Sequence, residues 1–530
     1  MRHSDSHAII DHRSDKRNTE LGAIIGESLL GGWRFDDRKG CLRGTRKEFL
    51  NHISQWVENP ESERGLVLLG QAGTGKSSIA HQIARLFDTK CLGSYVAFRR
   101  TENSKDAVCR LFTTLAHDLS VRYSPFKLAL KRAMTGSSSL HGTRDYPRLF
   151  ERLLLQPLEN LRLDDTVLII IDGLDESGLT IGKNGLHSFL AQRLIELPSN
   201  FRVLITSRPE HGIETTFTNA ESVHTLYMDD AQLAADTKND ISMYLQDELP
   251  EGVFTSHGGK LIGASEGFFQ WAAVACGFIN STRLDLGDNE CVQRLLGHSR
   301  GLSGQGLLDN LYEQVLKEYF KTEESQVLFR SVMGQLFAAI EPLSIDSLIT
   351  LRHSPAAHPE DSNRILIMLS CLGSLLSNVT LSDQTRPIVP LHTSFRDFLT
   401  SATNKVFHVD LADAHRQLVH SCLELMLDNL KFNICKLESS YLANSEVPDI
   451  ETRIAENIPP GLLYGCIHWS DHFEHLAFDE DIFKKVRSVF ETKFLFWLEV
   501  LSIKSYVGVA SRALSSLLLW LQREVCTLHN

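Results

Sequence analysis

Residues 70–77, GQAGTGKS, place a lysine and a serine directly after a run of spaced glycines, the pattern G-x-x-x-x-G-K-[ST] of a phosphate-cradling loop. Gly70, Gly73 and Gly75 carry no Cβ, so the backbone through Thr74 can curl and aim its N–H groups at phosphate oxygens. A helix opening after Gly75, with Ser78 in its first turn, adds its positive N-terminal end. In this arrangement Lys76 reaches the β- and γ-phosphates and Ser77 ligates Mg2+. An ordinary glycine-rich turn between strand and helix does not ask for Lys-Ser after its last glycine. A second set of candidates lies at 172–176, DGLDE, where an apolar run ends in carboxylates, the Walker B pattern. Asp172 is placed to hold Mg2+, mostly through water. Asp175 or Glu176 is placed to orient or deprotonate an attacking water. A lone strand-end Asp is usually a turn residue, and it is the upstream loop that favours the metal role. Arg208, in TSRP at 206–209, ends another apolar run. On spacing alone it is equally a γ-phosphate sensor or a solvated surface arginine.

These residues need elements to hold them. Residues 66–69 form a short apolar run that reads as a buried strand, and Ile79, Ala80, Ile83, Ala84 and Phe87 recur at helical spacing. Upstream, Thr45 and Glu48 read as a capping box for a helix whose apolar face is Phe49, Leu50, Ile53, Trp56 and Val57, ended by Asn59-Pro60. Runs at 95–98, 167–171, 201–205 and 223–228 read as further strands, 104–122 and 233–249 as helices, and 135–142 as a loop. The run at 167–171 is continuous and β-branched, as in a strand covered on both faces. Alternating strands and helices predict a parallel sheet with helices on both sides. Beyond 257 strand signals thin out. Residues 264–280 read as one apolar helix, 282–306 as a connection, and 307–335 and 363–378 as helical, with Pro342 breaking the pattern between them. A hairpin is expected at 379–380 and 388–391, then a helix capped by Ser394 and Asp397. Residues 409–430 and 460–524 are helical in pattern, with Trp469, Phe473, Trp497 and Trp520 as core anchors. There is no internal repeat.

At 530 residues the chain is too long for one core. Its 42% hydrophobic and 23% charged content is that of a soluble globular protein. A net charge of −12 argues against a general nucleic-acid surface. The ten cysteines are scattered without a C-x-x-C, so buried free thiols in a reducing compartment are expected. The polar N-terminus has no signal-peptide core, and no apolar run reaches membrane-spanning length. The reading is a cytoplasmic protein that inserts in no membrane.

In combination, GCLRGTR at 40–46, the phosphate loop, DGLDE, TSRP, EGFFQWAAV at 266–274, LHTSFRDFL at 391–399 and YGCIHWSDHF at 464–473 are more specific. Over 40–475 the chain resembles the fungal NACHT NTPases of the STAND class, relatives of NOD-like receptors, whose NTPase domain is also described as similar to the N-terminal part of nephrocystin-3. The resemblance implies an α/β P-loop NTPase domain followed by helical, winged-helix-like and all-helical domains. The expected divisions are a poorly defined 1–40, a NACHT core 41–230, a small helical domain 231–320, a winged-helix-like domain 321–405 and a helical domain 406–530. It implies a slow, weak Mg-dependent ATPase used as a signalling switch, closed with ADP and opening and self-associating with ATP, together with protein partners that the residues do not identify. Lys76, Ser77 and Asp172 match its phosphate and magnesium positions, and Arg208 its sensor position. Residues 268–271 sit where related receptors place a Gly-Leu-Pro segment against the base, here without the proline. His392 resembles the winged-helix histidine that touches the ADP phosphate. Family members commonly carry an effector domain before this region and a WD-repeat propeller after it; both would be supplied by partners or by a longer product. A scaffold that binds nucleotide without hydrolysis and a small-molecule kinase are the competing readings. No second substrate motif supports the kinase, and an intact Lys76, Asp172 and Glu176 disfavour the scaffold.

Overall fold

A computed structural model describes residues 39–528 except 99–103, 135–144, 160, 164, 178–184, 211, 231–235, 297–304, 353–358, 380–382, 403 and 440. The N-terminal stretch 1–38 and the loop expected at 135–142 therefore lie outside the described residues. The chain divides into two compact units, with the division between Cys276 and Gly277.

The first unit is built on five parallel strands, β1 Gly65–Leu69, β2 Leu92–Ala97, β3 Val167–Asp172, β4 Phe201–Ser207 and β5 Val223–Tyr227. Their order across the sheet is β2-β3-β4-β1-β5. The main helices of this unit are α1 Lys47–Glu58, α2 Lys76–Phe87, α3 Ser104–Arg122, α4 Ser124–Met134, α5 Tyr146–Phe150, α6 Leu186–Arg193, α7 Ile213–Thr218, α8 Thr237–Glu248 and α9 Glu251–Ser265; α10 Phe269–Leu286 begins in it. Side chains alternate across each strand. Val67, Leu69, Ile169, Ile171, Val203 and Ile205 pack with α3 in one apolar layer. Leu66, Leu68, Leu168, Ile170 and Leu204 pack with α1 and α2 in the other. Burial on both faces is why these strands read as unbroken apolar runs.

Two local expectations fail here. Thr45 is not a helix cap. Its hydroxyl donates to the Leu42 carbonyl at 2.8 Å, and the residue before α1 is Arg46, in the left-handed region at φ 56°. The apolar stretch 264–280 is not one helix either. α9 stops at Ser265, Glu266 and Gly267 take φ 46° and 88°, and α10 starts afresh at Phe269.

In the second unit, helices Gln305–Tyr319 and Glu323–Ala338 are separated by a Thr322/Ser325 capping box. The expected connection holds the helix Asp288–Leu296. The helix expected to run to 378 ends at Cys371, and Leu376–Ser377 (β6) pairs antiparallel with Val389–Pro390 (β7). The hairpin is present, with its first strand earlier than expected. The helix Thr393–Thr400 is capped by His392 rather than by Ser394: Nδ1 accepts the Ser394 N–H at 3.1 Å. Ser394 is buried, its hydroxyl 2.8 Å from that of Tyr312. Four further helices lie between Pro460 and Leu528, and Trp469, Phe473, Trp497 and Trp520 are buried among them. No helix among the described residues is long and apolar enough to cross a membrane.

Candidate functional site

The glycine-rich loop leaves the end of β1 and turns directly into α2. Gly70 cannot be larger: a Cβ there would lie 2.6 Å from the Met228 side chain. Gly75, at φ +96°, takes a conformation that an L side chain rarely adopts. Lys76 is the first residue of α2, and its ammonium folds over the loop to donate to the carbonyls of Gly70 at 2.7 Å and Gln71 at 2.9 Å. Burial pushes its pKa down to about 8 against the opposing pull of Asp175. The Thr74 hydroxyl donates to the Gln71 carbonyl at 2.9 Å, closing the loop on itself. Ser78, half-buried, follows in the first turn.

Strand β4 lies between β1 and β3, so the loop and the DGLDE segment are not on adjacent strands. They meet nonetheless, because α2 leans across: the Ser77 hydroxyl donates to Asp172 Oδ1 at 3.1 Å. Thr206, on the intervening β4, donates to the same oxygen and accepts the Gly173 N–H at 2.9 Å. Tyr95, on β2, donates to Asp172 Oδ2 at 3.1 Å. The chain then turns through the short 3-10 segment Leu174–Ser177. Asp175 is buried against Arg208: Oδ2 lies 3.1 Å from its Nε, and Oδ1 accepts its backbone N–H at 3.1 Å. Glu176 is only half-buried. The two carboxylates that sequence left interchangeable thus have different surroundings.

Arg46 is a site residue that sequence reasoning did not single out, although it lies in the GTR stretch. Its backbone N–H donates to Asp240 of α8 at 3.0 Å, and its guanidinium donates to the Thr237 hydroxyl at 2.9 Å and the Thr74 carbonyl at 2.8 Å. The same guanidinium lies over Phe269, 4.7 Å from the ring centre. Burial holds its pKa below the usual arginine range, with Asp240 opposing. Next to it, the Gln270 N–H of α10 donates to the Gly73 carbonyl at 3.1 Å. Residues 268–271 are thereby set against the phosphate loop.

Residues 44–208 match the family described as nephrocystin 3, N-terminal. This stretch is similar to a nephrocystin-3 N-terminal domain. The phosphate loop, Asp172, Asp175, Glu176 and Arg208 all fall inside it. No curated protein matches the chain. Among solved structures, a STAND protein with a tetratricopeptide repeat sensor from Pyrococcus horikoshii aligns at 16% identity and TM-score 0.39, over 92% of this chain and 65% of that one. The chain thus spans about two thirds of that protein's length. The ORC1 protein of Aeropyrum pernix, solved in complex with DNA, aligns at 14% identity and TM-score 0.31, over 69% of this chain and 94% of that one. A Walker-type ATPase of Pyrococcus abyssi aligns at 11% identity and TM-score 0.31, over 67% and 95%. Such values are low, and what this domain can do rests on its own geometry.

That geometry fits a nucleotide with magnesium. Ser77 and Asp172 offer hard oxygen donors side by side, and the loop offers an ammonium and a helix N-terminus. Among the described residues no group of three or more His, Cys, Asp or Glu gathers as a metal site. Magnesium suits such a sparse set, since it completes its shell with water and phosphate oxygens. His392 belongs to the second unit. With Nδ1 taken by the Ser394 N–H, the neutral ring carries its proton on Nε2.

Proposed function

We propose that the chain binds ATP and ADP with Mg2+ and hydrolyses ATP slowly, as a NACHT-type switch in which exchange of ADP for ATP controls opening and self-association. The observation that carries this is the Ser77–Asp172 contact at 3.1 Å across an intervening strand, beside a lysine folded over a glycine loop. Gly70, Gly73, Thr74, Gly75, Lys76, Ser77 and Ser78 bind the phosphates. Ser77 and Asp172 hold the cation, which neutralises phosphate charge when bound. Lys76 exchanges its loop carbonyls for phosphate oxygens, which return a full charge partner to an ammonium that burial disfavours. Glu176 takes the proton of the attacking water, because Asp175 is engaged with Arg208. Arg208, held by Asp175, reads the γ-phosphate.

The test is the nucleotide retained by purified protein, identified by chromatography after denaturation, together with single-turnover hydrolysis of ATP. Retained ADP and slow turnover, both lost in Lys76→Ala with the fold intact by circular dichroism, support the switch. Retained nucleotide without turnover would leave a scaffold instead, and unchanged ATP affinity in Lys76→Ala would remove the phosphate-loop assignment.

A further inference from the structure

Asp172 has a neighbour that the chemistry above leaves unused. We propose that Tyr95, held in place by His81, is a positioning residue that orients the Asp172 carboxylate and so sets the affinity of the site for the magnesium bound with nucleotide. The inference rests on the reading of Asp172 as a magnesium residue.

Asp172 is buried, and donors engage both of its oxygens: Ser77 and Thr206 on Oδ1, Tyr95 on Oδ2. Donors on one oxygen alone leave the carboxylate plane free to swing, since the terminal torsion of Asp is broad. Magnesium tolerates little such freedom, because it demands a near-ideal octahedron. A donor on the other oxygen fixes the plane. It comes from β2, one of the two strands beside β3, and the register decides which residue can reach. Ala97 is opposite Asp172, and Tyr95 lies two residues back on the same face. That offset is roughly 7 Å along the strand. A short hydroxyl side chain at 95 could not cover it, whereas a tyrosine can.

Tyr95 is itself fixed from α2. The His81 ring stacks on the phenol with centroids 4.9 Å apart, and its Nε2 lies 3.2 Å from the tyrosine oxygen. The phenol has one hydrogen, directed to Asp172, so it accepts from His81 Nε2–H. His81 follows Ser77 by four residues, which puts both on one face of α2. One helix face therefore serves Asp172 twice, directly through Ser77 and through Tyr95 by way of His81. A phenylalanine at 95 would fill nearly the same volume without burying a hydroxyl and an imidazole, so packing alone does not explain the pair.

The experiment is calorimetric titration of ADP into wild type, Tyr95→Phe and His81→Gln, each in excess EDTA and across a series of MgCl2 concentrations, with the melting temperature of each unliganded protein. Tyr95→Phe is expected to need about tenfold more MgCl2 for half-maximal enhancement of ADP binding, the scale usual for partners of metal ligands. Affinity in EDTA should stay at the wild-type value, while the unliganded melting temperature should fall somewhat, because the variant leaves Asp172 Oδ2 and His81 without the hydroxyl. His81→Gln retains an N–H donor and should show a smaller shift in the same direction. A MgCl2 requirement unchanged in both variants overturns the inference while leaving the magnesium reading intact. Equal losses of ADP affinity with and without MgCl2 also overturn it, making Tyr95 a structural residue. If wild type itself binds ADP equally in EDTA and MgCl2, the reading of Asp172 falls first and this inference with it. Should Tyr95→Phe fail to fold, His81→Gln alone decides by the same comparison.

Discussion

Two adjacent carboxylates, Asp175 and Glu176, have different surroundings. Asp175 faces Arg208 through both its side chain and its backbone, and the Ser207 hydroxyl lies 3.4 Å from the same carboxylate. Glu176 sits half-buried beyond the glycine turn. Replacing Glu176 by Gln keeps shape and removes the ability to accept a proton. Single-turnover hydrolysis should slow by about 10²- to 10⁴-fold, the usual worth of a general base, with ATP affinity by titration unchanged. Asp175→Asn should act differently, by releasing Arg208. The double variant Asp175→Asn with Arg208→Ala should then lose no more preference for ATP over ADP than Arg208→Ala alone, since residues in contact do not act additively. Additive losses in that cycle would mean that Asp175 does not present the arginine. Should hydrolysis stop in Asp175→Asn and survive in Glu176→Gln, the assignment of the base is reversed.

At the scale of elements, the starts of α1 and α10 converge on the phosphate loop. Arg46 joins α1, α8 and the Thr74 carbonyl with three separate donors, and Gln270 supports the Gly73 carbonyl. Arg46→Ala leaves the loop and the Thr237 hydroxyl without those bonds. Hydrogen bonds from a charged group contribute about 1.5–3 kcal/mol each, so nucleotide affinity should fall by at least roughly tenfold alongside a lower melting temperature. Arg46→Lys should not restore it, because an ammonium cannot reproduce the fork that spans Thr74 and Thr237. Affinity restored by lysine would show that charge alone suffices. The same elements mark what was legible in the chain. The phosphate loop, β3 with its carboxylate and the two-sided sheet were readable, since each is a local pattern of type and spacing. The role of Arg46 was not, because Thr45 and Glu48 imitate a capping box while the arginine's partners lie 28 and more than 190 residues away. The break at Glu266–Gly267 was hidden by apolar residues on both sides; it lets α10 start at the loop. Strand order was equally invisible: nothing in the composition of β4 says that it separates β1 from β3. In the hairpin, two-residue strands are too short for periodicity to fix their register, and at His392 the ring took the capping role that composition gives to serine.

At the scale of the whole molecule, a buried histidine pair should make the second unit acid-sensitive. The first is stabilised by two apolar layers on a sheet. The second buries a polar relay: the Ile340 N–H donates to the Tyr464 hydroxyl at 3.0 Å, that hydroxyl lies 3.1 Å from His472 Nε2, and His472 Nδ1 lies 2.8 Å from His415 Nδ1. Every bond is satisfied when Tyr464 donates to His472, His472 donates to His415 and both rings are neutral. Burial, with His475 and Arg396 adding to it, pushes the His415 pKa down to about 3. Burial likewise holds His472 well below its usual range, with His415, His468 and His475 acting in the same direction. Unfolded, both would take protons near pH 6.5. Their folded values lie lower, so the unfolded state binds more protons on the acid side, and the stability present above pH 6.5 is lost as pH falls. Each histidine should remove about 1.4 kcal/mol per pH unit in that window. His468 behaves oppositely. Burial would lower its pKa, but Asp471 at 2.9 Å and Glu341 at 3.6 Å hold it above the usual value. Its contribution is complete below pH 6.5 and disappears only as pH rises through its folded value, so it adds nothing to the acid loss. Urea unfolding followed by tryptophan fluorescence, at pH 7.0, 6.0 and 5.0, should show one transition moving to lower denaturant as pH drops. His472→Gln can still accept from Tyr464 and donate to His415 without titrating, and it should lower the slope by one histidine's share, about 1.4 kcal/mol per pH unit. A slope that His472→Gln leaves untouched would place the acid sensitivity elsewhere than in this pair.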